Sequence, residues 1–405
     1  MKQLIRNVRL VCRDQVVTGY LVIDGGKIAE VGRGLSPETP EGFASVDGKG
    51  LFLSPGFFEL HTHGAGGSDF LDESPDDMVT GVMTHLQHGT TSILPTTVAA
   101  SRKEMIRCID NFKLVKKNLR NGPNLIGLHM EGPYLSPLQK GAIDAKYIRN
   151  PDPAEYCEMV ERAEGGIARW TVAPELPGAL EMGDYLVKHH VLPSIGHSNA
   201  EYPQVLAAYR HGFTHVTHLY SGMSSIVRRG GFRFLGVTES AYAVEGLTVE
   251  VIADGCHLPP ELLRTVYRLK GPDKVCMVCD SMRCAGTDAT ETELGSRNSG
   301  QKVIVEDGIA KMPDRKAFAG SIATDDRLVR VMHYKAGVPL YDCINMMCLT
   351  PARIMGLGSR KGSLEAGKDA DLVLFDDSID VKAVLVGGKL VFQKKAGTTE
   401  QKPKG

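Results

Sequence analysis

The feature of this chain that most limits its fold is a series of eight short apolar runs that alternate with helical stretches. Such runs predict strands buried on both faces, and the helical stretches between them predict parallel pairing. Eight strands are the number that closes a (β/α)8 barrel, and an open doubly wound sheet is the alternative. In chain order the predicted strands are GFFELHTH (56–63), TSILPTT (91–97), NLIGLHME (124–131), ARWTVAPE (168–175), VLPSIGHS (191–198), FTHVTHL (213–219), LTVEVIADG (247–255) and KVCMVCD (274–280).

Both ends of the chain have a different sequence pattern, in which short predicted strands are separated by turns. The first 54 residues contain QLIRNVRLVC, GYLVIDG, KIAEVG and ASVDGKGLFL. After the helix-like stretch YDCINMMCLTPARIMGL, the same pattern of short strands occurs in ADLVLFD, VKAVLVGG and KLVFQK. The sequence therefore predicts an α/β protein with a barrel at residues 55–358 and a small β-sandwich-like domain built from residues 1–54 and 359–396.

Charge and hydropathy exclude several classes of protein. The net charge is -1, the pI is near 6.9, and 42% of residues are hydrophobic, which is typical of a globular chain that does not attract nucleic acid. No run reaches the roughly 18 apolar residues of a membrane span, and the start MKQLIRNVRLVCRD lacks the apolar stretch of a signal peptide. We therefore expect no membrane association and a cytoplasmic location.

The nine cysteines are scattered and odd in number. In a chain of this length that carries no export signal, we expect reduced thiols rather than a disulfide framework. The segment CMVC, from Cys276 to Cys279, has the spacing of a zinc or redox pair. It lies inside an apolar run without a second CxxC, so we predict core packing for both thiols.

Polar and titratable residues stand where the predicted strands end. The carboxyl ends of barrel strands meet at one rim, and active sites form there. Residues that are more than 200 positions apart should therefore face one cavity. The residues concerned are His61, His63, Thr96, Thr97, Glu131, Glu175, His197, His218, Asp254, His257 and Asp280.

Five of these residues predict a metal site. His61 and His63 lie two positions apart on a strand, so both rings share one face. Glu131, His197 and His218 each end another strand, and a carboxylate with neutral imidazoles suits Zn²⁺ or a similar ion with one open position for water. The alternative is that all of these are unrelated polar caps on barrel strands.

Asp280 ends the last predicted strand, beside SMRCAG. An aspartate close to an activated water can accept its proton and later deliver it to a leaving group, which is general base and general acid catalysis. A helix N-cap or a further metal ligand are the alternatives for this residue. His215 lies three residues before His218 and on the opposite face, so we predict a structural role for it.

Seven segments together resemble one known family. SPGFFELHTHG, HMEGPY, SIGHS, THVTHLYSGM, IADGCH, VCDS and FAGS occur in the order and approximate spacing of the N-acetylglucosamine-6-phosphate deacetylases of the amidohydrolase superfamily. The resemblance covers nearly the whole chain, including the closing GSLEAGKDADLVLFD. The glutamate of HMEGPY is the most telling residue, because related hydantoinases and dihydroorotases use a carboxylated lysine on the fourth strand, and ARWTVAPE contains no lysine.

The resemblance implies hydrolysis of the acetamide of N-acetyl-D-glucosamine 6-phosphate to glucosamine 6-phosphate and acetate. Glu131, His197 and His218 match the main metal ligands of the family, and Asp280 matches its catalytic aspartate. His61 and His63 match a pair that holds a second metal in some members. The implied cofactor is therefore one or two divalent ions, with zinc as the first expectation and iron, cobalt or manganese as alternatives.

The resemblance also implies where the sugar phosphate binds. His257 and Arg229 match residues that contact it, and the arginine would reach across from a second subunit of a homodimer. Arg228 and Arg233 stand close enough in sequence to serve instead, and bidentate arginine contacts suit a phosphate. The remaining predicted substrate contacts are Ala142, Ile143, Ser221 and Gly222.

Two positions depart from the family pattern. Ile143 stands where the family has a histidine that touches the substrate near its carbonyl; the adjacent Asp144 is a candidate replacement, but an ionised carboxylate cannot donate a hydrogen bond. Ser221 stands where the family has an asparagine that contacts the phosphate. The alternatives are therefore an amidohydrolase of the same fold that acts on another N-acetylated amino sugar or other amide, and a non-catalytic metal-binding barrel.

Overall fold

Eight parallel strands form a nearly closed barrel, which confirms the predicted fold class. The computed structural model describes residues 2–395. The strands stand around the barrel in chain order, so each is joined to the next by a crossover on the outside. They are Phe57–Thr62, Thr90–Thr97, Asn124–Leu125 with Leu128–Glu131, Ile167–Val172, Leu192–Ile195, His215–Val216, Thr248–Ile252 and Val275–Val278, and they are numbered one to eight below.

The barrel strands are buried on both sides, which explains why they appear in the sequence as unbroken apolar runs. Phe58, Leu60 and Cys276 belong to a cluster inside the barrel. Phe57 and Cys279 belong to the larger cluster between the strands and the surrounding helices. The two cysteines of CMVC therefore lie in different layers, and both are buried free thiols as predicted for core packing.

The helices cover the outer face of the barrel and begin at clear capping signals. Ser74 and Asp77 form a capping box at the first helix, and Ser101 and Glu104 form one at the second. Within residues 2–395, no helix combines the length and the apolarity required to cross a membrane. The α-helices are Pro75–Gln87, Arg102–Asn118, Pro153–Ala163, Ala179–Lys188, Tyr202–Arg210, Val237–Ala243, Pro260–Lys270, Asp325–Arg330, Leu340–Ile344 and Thr350–Ile354; Val331–Lys335 and Asn345–Leu349 are π-helical, and Pro137–Gln139 and Ala145–Tyr147 are 3₁₀-helical.

Both ends of the chain contribute to one mixed β-sheet, as predicted. Phe52–Pro55 joins its two halves, because it pairs in parallel with Gln3–Val11 from the start of the chain and antiparallel with Leu372–Phe375 from its end. The domain boundaries remain a prediction, and residue 396 lies outside the described residues. The strands of this terminal sheet are Gln3–Val11, Val16–Asp24, Lys27–Arg33, Ala44–Asp47, Phe52–Pro55, Leu372–Phe375, Val381–Val386 and Lys389–Gln393.

Three excursions from the barrel were not anticipated from the sequence. A four-stranded antiparallel sheet follows strand eight, and the turn at Asp307 and Gly308 has positive φ at both residues (53° and 75°). An exposed hairpin stands between strand six and its helix, and a small hairpin follows strand one. The strands concerned are Glu291–Leu294, Gln301–Glu306, Ile309–Lys311 and Phe318–Gly320; Val227–Arg229 and Phe232–Phe234; and Gly64–Ala65 and Ser68–Asp69.

A glutamate side chain closes the seam between strand one and strand eight. One oxygen of Glu59 accepts the backbone N–H of His61 at 2.7 Å, and the other accepts the N–H of Cys279 at 2.9 Å. Farther along, the Asp280 N–H donates to the His61 carbonyl at 2.8 Å. The carboxyl group therefore replaces ladder hydrogen bonds at the point where the register of strand one shifts.

We expect the substitution Glu59→Ala to lower the free energy of unfolding by about 2–6 kcal/mol, because it leaves two buried N–H groups without an acceptor at about 1–3 kcal/mol each. Glu59→Gln is the matched control. Its amide oxygen keeps one of the two acceptors while its NH₂ group faces the other N–H, so we expect a smaller loss than for Glu59→Ala. Burial and the neighbouring Asp325 raise the pKa of Glu59 well above its usual range, so removal of the charge adds little. Urea denaturation followed by circular dichroism measures both variants. Equal stability of the alanine variant and the parent protein would show that the seam does not depend on this side chain.

Candidate metal and substrate site

Six side chains from five strand ends converge at the carboxyl-terminal rim of the barrel. They are His61, His63, Glu131, His197, His218 and Asp280, and all come within hydrogen-bonding or ion-pair distance of another member. Three of these residues have left-handed backbone, with φ of 45° at His197, 27° at His218 and 46° at Asp280. This sparsely populated conformation turns each chain away from its strand, and such strain is concentrated at functional sites.

The first half of the cluster joins strands three, five and six. Glu131 Oε1 lies 2.9 Å from His218 Nε2 and 3.2 Å from His197 Nε2, and the two ring nitrogens are 3.2 Å apart. The other ring nitrogen of His197, Nδ1, lies 2.8 Å from the carbonyl of Gln139, so it carries the proton. The lone pair of His197 Nε2 therefore points toward the same place as the Glu131 carboxylate.

The second half of the cluster shares Glu131 with the first. His63 Nε2 lies 3.1 Å from Asp280 Oδ1 and 3.3 Å from Glu131 Oε2. His61 Nε2 lies 3.5 Å from both Glu131 Oε1 and Asp280 Oδ1, and it is buried without a hydrogen-bond partner. Two groups of three ligating side chains thus lie side by side, with Glu131 in contact with both.

The charges of the cluster fit a divalent cation. Burial alone would raise the pKa of Glu131, but the surrounding imidazoles, His61 first, hold it well below its usual range. Burial lowers the pKa of His61, but the nearby carboxylates outweigh burial and raise it to about 9. The buried carboxylates therefore favour a positive charge between them. The number of nitrogen and oxygen donors in the cluster suits zinc and similar ions.

Two charged residues inside the barrel support the cluster and were missed in the sequence. Glu250 on strand seven accepts a hydrogen bond from His61 Nδ1 at 2.7 Å, and Arg169 on strand four donates to Glu250 at 2.5 Å. Both are completely buried. The signal was present, because each is the one charged residue of its observed strand, TVEVI (Thr248–Ile252) and IARWTV (Ile167–Val172). His215 also contacts Glu250, at 3.3 Å, so its ring lies in the barrel interior rather than on the opposite face as predicted, although it is not one of the six cluster residues.

An open cleft of about 240 Å³ lies above the cluster, slightly below the usual size range of small-molecule sites. The structure brings five of the predicted substrate contacts to its wall: Ala142, Ile143, Ser221, Gly222 and His257. Asp254 fixes His257 by accepting from its Nδ1 at 2.8 Å and from its backbone N–H at 2.9 Å. No substrate contact was predicted for the apolar part of the wall, formed by Val98, Leu294 and Ala317–Gly320, although FAGS (318–321) was among the segments that carry the resemblance.

Several predicted positions do not line the cleft: Thr96, Thr97 and Asp254 are buried behind it, and Arg229 and Glu175 lie outside it. Arg229 belongs to the exposed hairpin, where it pairs with Glu201 at 2.6 Å and lies over the ring of Phe234 at 4.1 Å. Glu175 accepts hydrogen bonds from Ser198 and from the N–H of Asn199 in the loop after strand five. No arginine of this hairpin lines the cleft of its own chain.

Asp144 does not replace the histidine that the family has at the position of Ile143. Its side chain caps the 3₁₀ helix Ala145–Tyr147 and pairs with Lys146 at 2.8 Å. Ile143 itself is buried and faces the cleft. This wall therefore offers an apolar surface where the resembled family offers a proton donor.

The comparisons with known proteins point to one family. The model of the Amidohydrolase family matches residues 52–391. Two curated relatives named N-acetylglucosamine-6-phosphate deacetylase align over most of their lengths. The Bacillus subtilis protein is 31% identical over 398 residues, covering 97% of this chain and 98% of its own. The Haemophilus influenzae protein is 32% identical over 394 residues, covering 96% and 99%.

Solved structures agree with the sequence comparisons. The N-acetylglucosamine-6-phosphate deacetylase of Pasteurella multocida superposes with a TM-score of 0.88 at 29% identity, covering 96% of this chain and 99% of that one. A variant of the Mycobacterium smegmatis deacetylase, in complex with N-acetyl-D-glucosamine-6-phosphate, superposes with a TM-score of 0.86 at 30% identity and the same coverage.

We expect Gly222→Ala to reduce the metal content of the purified protein, because a Cβ there would lie 2.8 Å from His197 Nδ1 and displace that ring. Gly230→Ala is the matched control. The two glycines have nearly the same backbone, with φ of +56° and +57°, but a Cβ at Gly230 meets nothing within 4 Å. Elemental analysis of both variants separates the contact from the backbone strain. Equal metal content in both would contradict a metal-ligating role for His197.

Proposed function

Because the chain belongs to the amidohydrolase family and, within it, to the N-acetylglucosamine-6-phosphate deacetylases, we propose that it hydrolyses the acetamide of N-acetyl-D-glucosamine 6-phosphate to glucosamine 6-phosphate and acetate. The observation that carries this proposal is the convergence of Glu131, His197, His218 and Asp280 at the floor of one open cleft. Glu131 lies within 3.2 Å of both His197 and His218, and His61 and His63 link it to Asp280, which unrelated polar caps on barrel strands would not produce.

The metal would be held by this chain's own residues. Glu131, His197 and His218 are the proposed ligands of one ion, and His61, His63 and Asp280 form a second group that can hold another. Zinc suits both groups best, with iron, cobalt and manganese as alternatives. When bound, a divalent ion supplies Lewis acidity for the scissile carbonyl and lowers the pKa of a water.

Asp280 is the proposed general base and acid. Burial disfavours its charge, but His61 and His63 outweigh burial and hold the pKa of Asp280 below its usual value, so the carboxylate is ready to accept a proton. It would take a proton from the attacking water and deliver it to the amide nitrogen as the C–N bond breaks. The products are then a carboxylic acid and a free amine, which balances the hydrolysis.

The phosphate end of the substrate requires donors from the chain. His257 is held in place by Asp254 and faces the cleft, so its free ring nitrogen is available. Arg229 is the proposed second donor, supplied by the partner of a homodimer, because in its own chain the hairpin stands outside the cleft. Guanidinium groups suit phosphate through bidentate hydrogen bonds.

The two departures from the family pattern favour one alternative substrate class. Ile143 removes a proton donor from the cleft wall, and Ser221 offers a shorter side chain than asparagine where the phosphate is expected. An enzyme of this fold that acts on another N-acylated amino sugar would have these features. A comparison of phosphorylated and plain sugars distinguishes the two possibilities.

A cytoplasmic location stays a prediction that one further observation supports. All nine cysteines lie within residues 2–395, and each is a free thiol. Free thiols in this number are typical of proteins kept in a reducing compartment.

We expect Asp280→Asn to lower kcat by about 10²–10⁴-fold, the usual contribution of general acid and base catalysis, because the amide cannot accept the proton. The ion held by Glu131, His197 and His218 should be retained, whereas an ion in the second group loses its Asp280 ligand. Asp144→Asn is the control, since that carboxylate lies in the adjacent loop but outside the cleft, and we expect it to retain activity. Full activity of Asp280→Asn would remove this aspartate from the mechanism, and loss of metal would identify it as a ligand.

We expect Arg229→Ala to lower kcat/KM for the phosphorylated sugar by about 10- to 100-fold, the effect of losing hydrogen bonds to a charged group. It should leave turnover of plain N-acetylglucosamine nearly unchanged. Equal turnover of both sugars by the parent protein would exclude a phosphate site at this arginine.

A mixture of subunits tests whether the arginine acts across the dimer. In a hybrid of Asp280→Asn with Arg229→Ala, one of the two clefts has both an intact Asp280 and a partner's intact Arg229. A random mixture should then regain about a quarter of the parent activity, because half of the dimers are hybrids with one complete site. No recovery would show that the arginine does not serve the other subunit.

A further inference from the structure

Glu250 collects hydrogen bonds from both halves of the metal cluster at a single oxygen. Its Oε1 accepts from His61 Nδ1 at 2.7 Å and from the backbone N–H of His218 at 3.0 Å. Its side chain is fully buried inside the barrel, below the cleft. One carboxylate thus fixes the ring of one proposed ligand and the backbone of another.

The hydrogen bond to Glu250 determines which nitrogen of His61 can bind a metal. A carboxylate can only accept, so His61 Nδ1 must carry the proton. Its Nε2 is then the nitrogen that faces Glu131 and Asp280, each at 3.5 Å, so a cation bound there takes the place of the Nε2 proton. Outer carboxylates commonly orient metal-binding histidines in this way and increase their basicity.

Arg169 holds Glu250 in place from the opposite side of the barrel interior. It donates to Glu250 Oε2 at 2.5 Å, to Ser194 Oγ at 3.0 Å and to Thr217 Oγ1 at 2.8 Å. A fourth contact reaches the carbonyl of Leu60 on strand one at 3.4 Å. The guanidinium therefore connects several strands, and the Glu250 carboxylate has no freedom to move away from His61.

We propose that Glu250, held by Arg169, is a positioning residue that fixes the metal-binding tautomer of His61 and the backbone of His218, and thereby determines how tightly the cluster holds its cation. The inference rests on the proposed function only in requiring that a cation is bound. A neutral amide cannot replace the carboxylate. If its oxygen faces His61, its NH₂ group faces Arg169; if its oxygen faces Arg169, its NH₂ forces the proton of His61 onto Nε2.

The test measures metal retention by the holoenzyme rather than turnover. Purified parent protein and Glu250→Gln are dialysed against increasing concentrations of a chelator, and the remaining metal is measured by elemental analysis. We expect Glu250→Gln to lose metal at about 10- to 100-fold lower free chelator, the usual effect of removing an outer partner of a metal ligand. Retention equal to that of the parent protein would overturn the inference.

A control variant separates positioning from a general loss of stability. Glu155 forms a partly buried arginine pair, with Arg149 at 2.5 Å and 32% exposed, and it also accepts from Tyr134 at 2.9 Å, away from the six cluster residues. Glu155→Gln should lower the Tm but leave metal retention unchanged. If it loses metal as readily as Glu250→Gln, the effect is structural and the inference is wrong.

A second variant covers the case in which Glu250→Gln does not fold because Arg169 is left unpaired. Glu250→Met combined with Arg169→Met replaces the whole ion pair by apolar groups of similar volume, which buried pairs often tolerate. His61 Nδ1 still loses its acceptor, so metal retention should fall by the same factor. Parent-like retention in this variant also overturns the inference. A parent protein that binds no metal would instead refute the proposed function itself.

Discussion

The site depends on one buried carboxylate, that of Glu131, whose negative charge must be balanced by positive charge nearby. Glu131 contacts four imidazoles from three other strand ends, and its charge persists only because positive charge surrounds it. A buried carboxylate without such partners would be costly and would protonate instead. The barrel provides the means of compensation, because its closure brings strand ends from distant parts of the chain to one rim. Fold and chemistry are therefore linked through a single charged group.

The sequence predicted the elements that obey simple periodicity. Apolar runs located all eight barrel strands, and the polar residues after them located the six members of the cluster. The positions of Glu59 and Arg169 could not be obtained in this way. Strand one changes its register between Glu59 and Thr62, so counting alternate residues back from His61 places Glu59 on the wrong face of the strand. Arg169 was overlooked because a charged residue is not expected inside a barrel unless its partner, Glu250, is already known.

The excursions show a second limit of sequence interpretation. The strands after strand eight follow recognisable alternation, and the Asp307–Gly308 turn is a hairpin signal, but nothing local indicates that they pack beside the cleft. Their position is set by contacts such as the hydrogen bond from Gln301 to the carbonyl of Ala142 at 2.7 Å. This contact joins two wall segments that are far apart in the chain. The apolar wall around Ile143 therefore became visible only in the structure.

The strand Phe52–Pro55 has a consequence for how the protein is made. It leads through Gly56 directly into strand one, which carries His61 and His63, but one of its two sheet neighbours is Leu372–Phe375. During synthesis on the ribosome, that neighbour emerges only after the whole barrel has been translated. Until then, Phe52–Pro55 has one unpaired edge, and unpaired strand edges promote association with other chains. The sheet around Phe52–Pro55, which leads into the strand of His61 and His63, is thus among the last parts of the nascent chain to be completed.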